Sequence, residues 1–318
     1  MKLEFSIIIP IYNRPQEVEE LLSSISQLNF SGNFEVIIIE DGSSNRCDTV
    51  VDNFKSKLEI QYFYKENSGP GASRNYGMQR ANGNYFIVLD SDVVLPKQYL
   101  NVIDKRLKEN YTDAFGGPDA AHPDFTSLQK AINYSMTSFL TTGGIRGKKK
   151  GVGKFQPRSF NMGISKKAFE ATQGFSDMRA GEDIDLTFRL WESGIETQLI
   201  EEAFVYHKRR NTISSFFNQT FAFGTARPKL NKKYPKTKKL TYWFPSLFAL
   251  GFDLSILLVF FGYWQLSAFF GLYLIALFSD ATVENKSFKV GFLSIITSLT
   301  QFFGYGFGFL QSRFFPNT

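Results

Sequence analysis

The last quarter of the sequence contains three long apolar segments, at residues 242–262, 264–278 and 288–310. A helix needs about 20 apolar residues to cross a bilayer, with a usual range of about 17–25. The first and third segments reach that length, and the middle one lies at its lower limit. We therefore expect three membrane-spanning helices; the alternative is a hydrophobic core with one amphipathic helix at the membrane surface. Asp253 is the only charged residue of the first segment, placed either inside the membrane or at its surface.

The charges around these segments predict their orientation. Seven Lys and Arg residues lie between residues 227 and 239, directly before the first segment. Cytoplasmic flanks of membrane helices are enriched in such cations, so we expect a multi-pass protein of the inner cell membrane whose preceding region is cytoplasmic. Lys286 and Lys289, in the second loop, agree with three spans. The net charge of +6 predicts an anionic partner, and the position of the cations favours lipid over nucleic acid.

Before residue 230 the sequence alternates between short apolar runs and amphipathic stretches. The runs predict strands at residues 5–11, 34–40, 58–64 and 85–90, and a short one at 113–116. The stretches predict helices at residues 15–28, 71–81 and 96–108. This order is typical of an open, mostly parallel α/β sheet. The predicted organisation is an α/β domain at 1–230, a basic linker at 231–241 and membrane helices at 242–312.

Three smaller features complete the domain picture. Residues 1–15 are not expected to form a secretory signal peptide, since their apolar run is short and ends at Pro10. Cys47 is the single cysteine, which excludes an internal disulfide and agrees with a reducing compartment. Residues 141–155 hold five glycines among several cations. They predict either a mobile loop that closes on a substrate or on lipid head groups, or an ordinary surface loop.

The chemistry is expected at the carboxyl ends of the strands, where ligands bind in open α/β sheets. Asp90 and Asp92 stand at the end of the strand at 85–90, with one residue between them. Two carboxylates placed in this way can hold Mg²⁺ or Mn²⁺, whose remaining ligands are often substrate phosphates. An isolated pair of this kind is more often two solvated loop acids, but its position after a buried strand favours the metal.

A second acidic group opens the predicted helix at residues 182–192. Acids in a first helical turn interact favourably with the helix dipole, so Glu182 and Asp183 either stabilise the helix end or include a general base for a hydroxyl group. His207 follows one strand later and is either structural or a nitrogen ligand of the metal. Arg74 and Arg227 are candidates for binding a diphosphate. A Walker-type phosphate loop is excluded, because no GK[ST] sequence follows the glycines at 69–71.

Taken in order, these motifs resemble those of glycosyltransferase family 2, whose catalytic domain has the GT-A fold. The resemblance spans roughly residues 5–230. It rests on the segments 6–14 (SIIIPIYNR), 40–44 (EDGSS), 69–75 (GPGASRN), 81–92 (ANGNYFIVLDSD), 161–163 (NMG), 174–175 (GF) and 181–183 (GED), and on His207. Each segment alone is weak, and the ordered set is specific.

The resemblance implies a nucleotide-diphosphate sugar as the donor, with UDP as the first guess and GDP as the alternative. The residues that match the family's donor site are Pro10, Tyr12, Arg14, Asp41, Arg74 and Asp90. The first three match the segment that cradles the nucleoside, and Asp41 matches the acid that binds the base or ribose. Arg74 lies in the segment near the base and diphosphate, and Asp90 matches a contact to the ribose or the donor sugar.

The resemblance also implies roles in catalysis. Asp92 and His207 match ligands of a divalent metal, Mn²⁺ or Mg²⁺. Asp183 matches the base that deprotonates the acceptor, and Glu182 would contact the acceptor or orient that base. The implied reaction is a single displacement with inversion at the anomeric carbon. Arg227 is a further hypothesis, as a residue that closes over the diphosphate.

The sequence departs from processive members of the family, because no Q/RxxRW motif follows the acidic helix. Transfer of one sugar is therefore expected, to a hydroxyl or phosphate group of a lipid-linked or cell-envelope glycan acceptor. Two alternatives remain. A nucleotidyltransferase that makes nucleotide sugars would share the sheet and the metal acids, but it would normally carry a glycine-rich basic loop near the N-terminus. A non-catalytic membrane scaffold would be expected to lose the acids that this chain retains.

Overall fold

A computed structural model describes residues 2–120, 122, 124–143 and 155–315. The chain forms two compact units. The first comprises the described residues of Met1–His122 and Val152–His207, and the second those of Pro123–Gly151 and Lys208–Thr318. Most of the glycine-rich segment at 141–155, namely residues 144–154, lies outside the described residues, so its interpretation stays a prediction.

The first unit is built on a seven-stranded mixed sheet with the order β3-β2-β1-β4-β8-β6-β9. Its strands are β1 (Phe5–Ile11), β2 (Phe34–Asp41), β3 (Ile60–Lys65), β4 (Tyr85–Leu89), β6 (Ala114–Gly116), β8 (Asn161–Ser165) and β9 (Thr197–Leu199). A second sheet has the order β5-β10-β7. Its strands are β5 (Val93–Val94), β7 (Asp119–Ala120) and β10 (Val205–His207).

Helices cover both faces of the large sheet. They are α1 (Pro15–Ile25), α2 (Asp48–Asp52), α3 (Pro70–Met78), α4 (Tyr99–Glu109), α7 (Lys166–Thr172) and α8 (Glu182–Glu192). The continuous apolar run of β1 follows from this arrangement, since a strand buried on both faces has no polar side. Ile7 and Ile9 pack in the core on one face of the sheet, and Ile8 packs in the core on the other.

The five predicted strands are present and run in the same direction, and the sheet is mixed because of one strand that the pattern did not predict. β1 pairs in parallel with β2 and β4, and β2 pairs in parallel with β3. β8 runs antiparallel between β4 and β6. Its sequence, NMGIS, is short and contains Gly163, so it lacks the β-branched run that marks a strand. The prediction of helix 15–28 was too long, since α1 ends at Ile25.

A buried carboxylate, Glu35, holds three segments together at the amino ends of the strands. Its oxygens accept hydrogen bonds from Ser6 Oγ at 2.6 Å and from Gln61 Nε2 at 2.8 Å. They also accept from the backbone and side-chain nitrogens of Asn82, at 2.6 and 3.0 Å. Glu35 therefore joins β1, β3 and the turn before β4 through one ionised group, and such charge-assisted bonds are stronger than neutral ones.

Replacing Glu35 by Gln is expected to destabilise the first unit by about 2 kcal/mol at neutral pH, because an amide cannot accept all of these hydrogen bonds. Burial raises the pKa of Glu35, but the bonds from Ser6, Asn82 and Gly83 outweigh it and hold the pKa below its ordinary value of 4.5. The stabilisation is thus fully present above the unfolded pKa and is lost as the pH falls through the lowered folded pKa.

The melting temperatures of wild type and Glu35→Gln, measured in detergent from neutral pH downwards, test this prediction. Their difference should be constant down to about pH 5.5 and shrink below about pH 4.5. Glu59→Gln changes an exposed acid near the start of the neighbouring strand and should leave the melting temperature unchanged. A difference in melting temperature between wild type and Glu35→Gln that grows at acid pH would contradict a stabilising role for ionised Glu35.

The second unit is helical. Its helices are α5 (Ser127–Thr137), α6 (Phe139–Thr142), α9 (Ile213–Lys233), α10 (Phe244–Val259), α11 (Gln265–Asn285) and α12 (Phe288–Phe314). Three stretches of helix are long and apolar enough to cross a membrane, at Leu240–Val259, Gln265–Asn285 and Phe288–Phe314. The middle one has 21 residues and is longer than the apolar run at 264–278, because its last turns are polar and still helical.

Glycines allow α9 and α12 to pack closely. A Cβ atom at Gly304 would lie 2.2 Å from Thr220 Oγ1, and one at Gly308 would lie 2.2 Å from the carbonyl oxygen of Phe221. On α9, a Cβ atom at Gly224 would meet the carbonyl oxygen of Tyr305 at 2.2 Å. Small residues of this kind let helix backbones approach one another, which is how membrane helices commonly associate.

Candidate active site

The loops after β1, β2 and β4 lie at one edge of the large sheet. The strands are parallel and in register, with Ile11 opposite Glu40 and Ile8 opposite Val88. Their carboxyl ends therefore present residues 12–14, Asp41 and the Asp90–Asp92 turn side by side. This is the position at which ligands bind in open α/β sheets.

Asp90, Asp92 and His207 form a cluster in which one ligand atom from each residue lies within 4.8 Å of the others. The small sheet brings His207 to this place, because His207 in β10 pairs with Val93 in β5, directly after Asp92. The Nε2 atom of His207 lies 3.2 Å from a carboxylate oxygen of Asp92. The ring of Phe160 stacks on the imidazole with centroids 4.6 Å apart, which fixes its plane.

The donor atoms of this cluster suit a divalent metal ion. Carboxylate oxygens bind Mg²⁺ and Mn²⁺, and an added imidazole nitrogen shifts the preference towards Mn²⁺. The second nitrogen of His207, Nδ1, points towards Asp119, at 3.9 Å from its Oδ2. A carboxylate behind a metal-binding histidine is a common means of orienting the ring. Asp119 was missed by the sequence analysis, since the two-residue strand β7 leaves no pattern.

Arg14 borders the metal cluster. Its Nη1 donates a hydrogen bond of 2.9 Å to Asp92 Oδ2, so a fixed cation stands beside the acid that is predicted to bind the metal. Tyr12, two residues earlier, is 53% exposed, and Pro10 is partly buried in β1. Their predicted contacts to the nucleoside remain predictions, and the exposure of the Tyr12 ring leaves it accessible to stack on a base.

Asp41 is buried and engaged by the loop between β3 and α3. Its carboxylate pairs with Lys65 and accepts hydrogen bonds from the backbone nitrogens of Ser68 and Gly69, both at 2.9 Å. Asp41 thus holds the glycine-containing loop that begins α3. Its predicted contact with the base or ribose remains a prediction, and its observed partners show a role in shaping the loop.

Arg74 connects the Asp90–Asp92 turn to the start of α8. The guanidinium is buried and donates to Asp90 Oδ1 at 2.6 Å and to Glu182 Oε1 at 2.9 Å. The ring of Phe175 covers it at 5.1 Å. Burial lowers the pKa of Arg74, but the two carboxylates outweigh burial and raise it. Its predicted role at the diphosphate remains a prediction; its observed contacts make it the link between the two acidic motifs.

The acidic motif at the start of α8 contains two carboxylates that lie in different surroundings. Gly181 precedes the helix with a φ of 81°, a backbone conformation that favours glycine. Burial raises the pKa of Glu182, and the neighbouring Asp183 adds to this, while Arg74 offsets part of the rise. Asp183 lies 3.5 Å from the guanidinium of Arg158. Arg158 was also missed, because a single arginine in an irregular segment gives no signal.

Arg227 belongs to the second unit. It lies in α9, with its guanidinium over the ring of Tyr242 at 4.2 Å. Its buried Nη1 has no hydrogen-bond partner among the described residues. The predicted contact of Arg227 with the diphosphate is not tested by these observations and remains a prediction.

The sequence matches the family model described as Glycosyl transferase family 2 over residues 6–172, which is more than half of the chain. An uncharacterized glycosyltransferase of Rickettsia felis is 38% identical over 105 residues, which cover 33% of this chain and 17% of that protein. The chain therefore spans well under two thirds of that relative.

Two further relatives carry more specific names. The poly(ribitol-phosphate) beta-N-acetylglucosaminyltransferase TarS of Staphylococcus aureus is 30% identical over 152 residues, covering 42% of this chain and 26% of that protein. A Campylobacter jejuni protein named GalNAc(5)-diNAcBac-PP-undecaprenol beta-1,3-glucosyltransferase is 25% identical over 234 residues. That match covers 70% of this chain and 69% of the relative.

Solved structures share the fold. The mannosyltransferase PcManGT from Pyrobaculum calidifontis, in complex with GDP-Man and Mn²⁺, matches with a TM-score of 0.62 at 15% identity and covers 100% of this chain and 89% of that chain. S. aureus TarS 1-349 in complex with UDP-GlcNAc matches with a TM-score of 0.52 at 17% identity, covering 98% and 92%. The first unit thus has the predicted GT-A fold.

Proposed function

The chain belongs to glycosyltransferase family 2, and we propose that it transfers a single sugar from a nucleotide-diphosphate sugar to its acceptor with inversion at the anomeric carbon. The observation that carries this proposal is the linkage of the two acidic motifs. Arg74 bonds both Asp90, in the metal cluster, and Glu182, next to Asp183. One guanidinium would thereby hold both an acid proposed to act at the donor diphosphate and the neighbour of the acid proposed to act on the acceptor hydroxyl.

Asp90, Asp92 and His207 are the residues that would hold Mn²⁺ or Mg²⁺, and the bound ion would stabilise the negative charge of the leaving diphosphate. Asp119 and Phe160 would keep the imidazole of His207 in its orientation. Arg14 would supply a fixed positive charge beside Asp92, where the departing diphosphate gains charge. Asp41 would keep the loop before α3 in the shape that receives the nucleoside.

Asp183 would act as the general base on the acceptor. A base must lie within hydrogen-bond reach of the proton that it removes, and the position of Asp183 at the first turn of α8 leaves its side chain partly accessible. Glu182, held by Arg74, would fix the start of the helix and so the direction of Asp183. One base and one leaving group are enough for a single displacement, so the reaction needs no covalent sugar intermediate.

The acceptor is proposed to be lipid-linked or a cell-envelope glycan. The name of the Campylobacter relative, which is matched over most of its length, contains an undecaprenyl diphosphate-linked glycan, and TarS is named for poly(ribitol-phosphate). The three apolar helices suit an enzyme at the inner membrane with its catalytic unit in the cytoplasm. UDP-sugars are the first donors to test, followed by GDP-sugars.

The proposal is tested with detergent-purified protein, a panel of UDP- and GDP-sugars, and polyprenyl phosphates and diphosphate-linked glycans as acceptors. Release of nucleoside diphosphate from one donor, with loss of activity in EDTA, is the expected result. Proton NMR of the product should show the anomeric configuration opposite to that of the donor. Retention of the anomeric configuration would rule out a single-displacement mechanism. Release of pyrophosphate from a nucleoside triphosphate and a sugar phosphate would instead establish a nucleotidyltransferase.

Replacing Arg158 by Gln is expected to raise the KM for a phosphate-bearing acceptor by at least about tenfold, because a charge-assisted contact contributes roughly 1.5–3 kcal/mol. The reason is that Arg158 places a cation next to the proposed base, where an anionic acceptor would lie. The KM for the donor should not change. Arg106→Gln removes a half-exposed surface arginine and serves as the control. Equal effects on donor and acceptor would contradict an acceptor-side role.

A further inference from the structure

A carboxylate stands on the outer face of the first apolar helix. Asp253, in α10, is exposed, and it makes no hydrogen bond or ion pair with any described residue. The opposite side of α10 is covered: Phe248 and Ser255 are buried, and Phe248 packs in one cluster with Phe270 of α11 and Phe302 of α12. Asp253 therefore lies on a side of the helix that has no packed neighbour among the described residues.

The position of Asp253 along the helix places it inside the proposed membrane. The turn after α10 carries the exposed aromatic side chains of Phe260, Phe261, Tyr263 and Trp264, and tyrosine and tryptophan are typical of a membrane–water interface. Asp253 precedes Phe260 by seven residues, which corresponds to about 10 Å along a helix. A depth of that size lies well within a hydrocarbon core about 30 Å thick.

An acid in hydrocarbon is costly unless another polar group pairs with it. In the described part of α10, α11 and α12, the cations lie near helix ends, at Lys289 and Arg313, so none of the cations on these three helices reaches the depth of Asp253. Leu250, Asp253, Leu257 and Phe260 are all exposed and follow one another at spacings of three, four and three residues. That is the spacing of a seam between two helices.

We propose that this seam is where a second copy of the chain binds, with the two α10 helices parallel and their Asp253 carboxyl groups paired. Two copies in one membrane have the same orientation, so a second copy always brings an Asp253 to the same depth. One protonated carboxyl group then donates its O–H to the other, which satisfies both polar groups without a cation. A single polar residue in an apolar seam also fixes the register of the two helices.

This proposal rests on the proposed membrane anchorage, and cysteine crosslinking in native membranes tests the two separately. The natural Cys47 does not interfere, because it is buried and burial raises the pKa of its thiol to about 12. Leu250→Cys is the reporter. Leu272→Cys on α11 is the control, since both leucines are exposed, at 50% and 68%. They also lie at matching depth. Leu250 is five residues before Ser255 and Leu272 is five residues after Ser267, and these two serines are joined by a 2.8 Å hydrogen bond between the antiparallel helices.

Under mild oxidation Leu250→Cys should form at least ten times more covalent dimer than Leu272→Cys. Adding Asp253→Leu should reduce that dimer at least fivefold, and adding Asp253→Asn should preserve it, because an amide both donates and accepts. Equal crosslinking at the two positions, a product of another mass that contains a different protein, or no response to Asp253→Leu would each overturn the proposal. If alkaline carbonate releases the protein from membranes, both the membrane anchorage and the pairing are wrong. If the protein resists carbonate but forms no dimer, only the pairing is wrong.

Discussion

Asp183→Asn is expected to lower the rate of sugar transfer by about 10³-fold while the Kd of the donor stays within about twofold of wild type, because an aligned general base contributes roughly 10²–10⁴-fold. The amide has the same shape as the carboxylate, and it can still accept the hydrogen bond from the backbone nitrogen of Ile184 at 2.8 Å. It cannot take a proton. The loss should therefore appear in kcat and leave the metal cluster and donor loop as they are.

Single-turnover kinetics with a chosen donor and acceptor, together with calorimetry of donor binding, measure the two quantities separately. Asp177→Asn is the matched control, an acid-to-amide change at an exposed residue shortly before the same helix. It should leave both quantities unchanged. If Asp183→Asn transfers at the wild-type rate, the base lies elsewhere, or the acceptor is a phosphate oxygen that is already ionised. The same variant tested with hydroxyl and phosphate acceptors separates these two explanations.

The fold was predictable to the extent that burial leaves a pattern. β1 lies at Phe5–Ile11, as predicted, because a strand covered on both faces must be apolar throughout. β8 was not predictable, since its five residues contain Gly163 and their burial depends on strands β4 and β6 from elsewhere in the chain. The extent of α11 was underestimated for a related reason: its polar last turns end the hydropathy signal before the helix ends.

The candidate site, like the fold, was predictable from the sequence only in part. Asp90, Asp92 and His207 were selected as motifs, and the structure brings them together. They meet because β10, which ends at His207, pairs with β5, which begins directly after Asp92. The contacts of Arg74 were not foreseen: the motif marks the residue, but its two carboxylate partners are 16 and 108 positions away. Asp119 and Arg158 left no trace in the sequence, since their significance comes only from the groups beside them.

Asp92→Asn is expected to weaken Mn²⁺ binding by more than about 100-fold, since even residues that only orient metal ligands typically contribute 10–100-fold. Asp92 presents one oxygen to Arg14 at 2.9 Å and the other to His207 at 3.2 Å. In Asn, an amide nitrogen replaces one carboxylate oxygen and would face one of these nitrogen atoms. The substitution therefore removes both the negative charge and one oxygen that could bind the metal. Transfer at a fixed, low Mn²⁺ concentration should fall at least as much as the binding does.

Titration of Mn²⁺ followed by electron paramagnetic resonance, with UDP or GDP present, measures the binding directly and does not depend on activity. Asp119→Asn should weaken binding by about 10–100-fold, because Asp119 is expected to act on the metal indirectly, by orienting the ring of His207. Asp104→Asn, an acid in a surface pair with Lys108 at 2.7 Å, should have no effect. A loss of Mn²⁺ affinity that is largest for Asp92→Asn, smaller for Asp119→Asn and absent for Asp104→Asn would place the metal at the cluster. Equal Mn²⁺ affinity in wild type and Asp92→Asn would show that the ion is held elsewhere, and the charge of the leaving diphosphate would then have to be met by Arg14 and its neighbours.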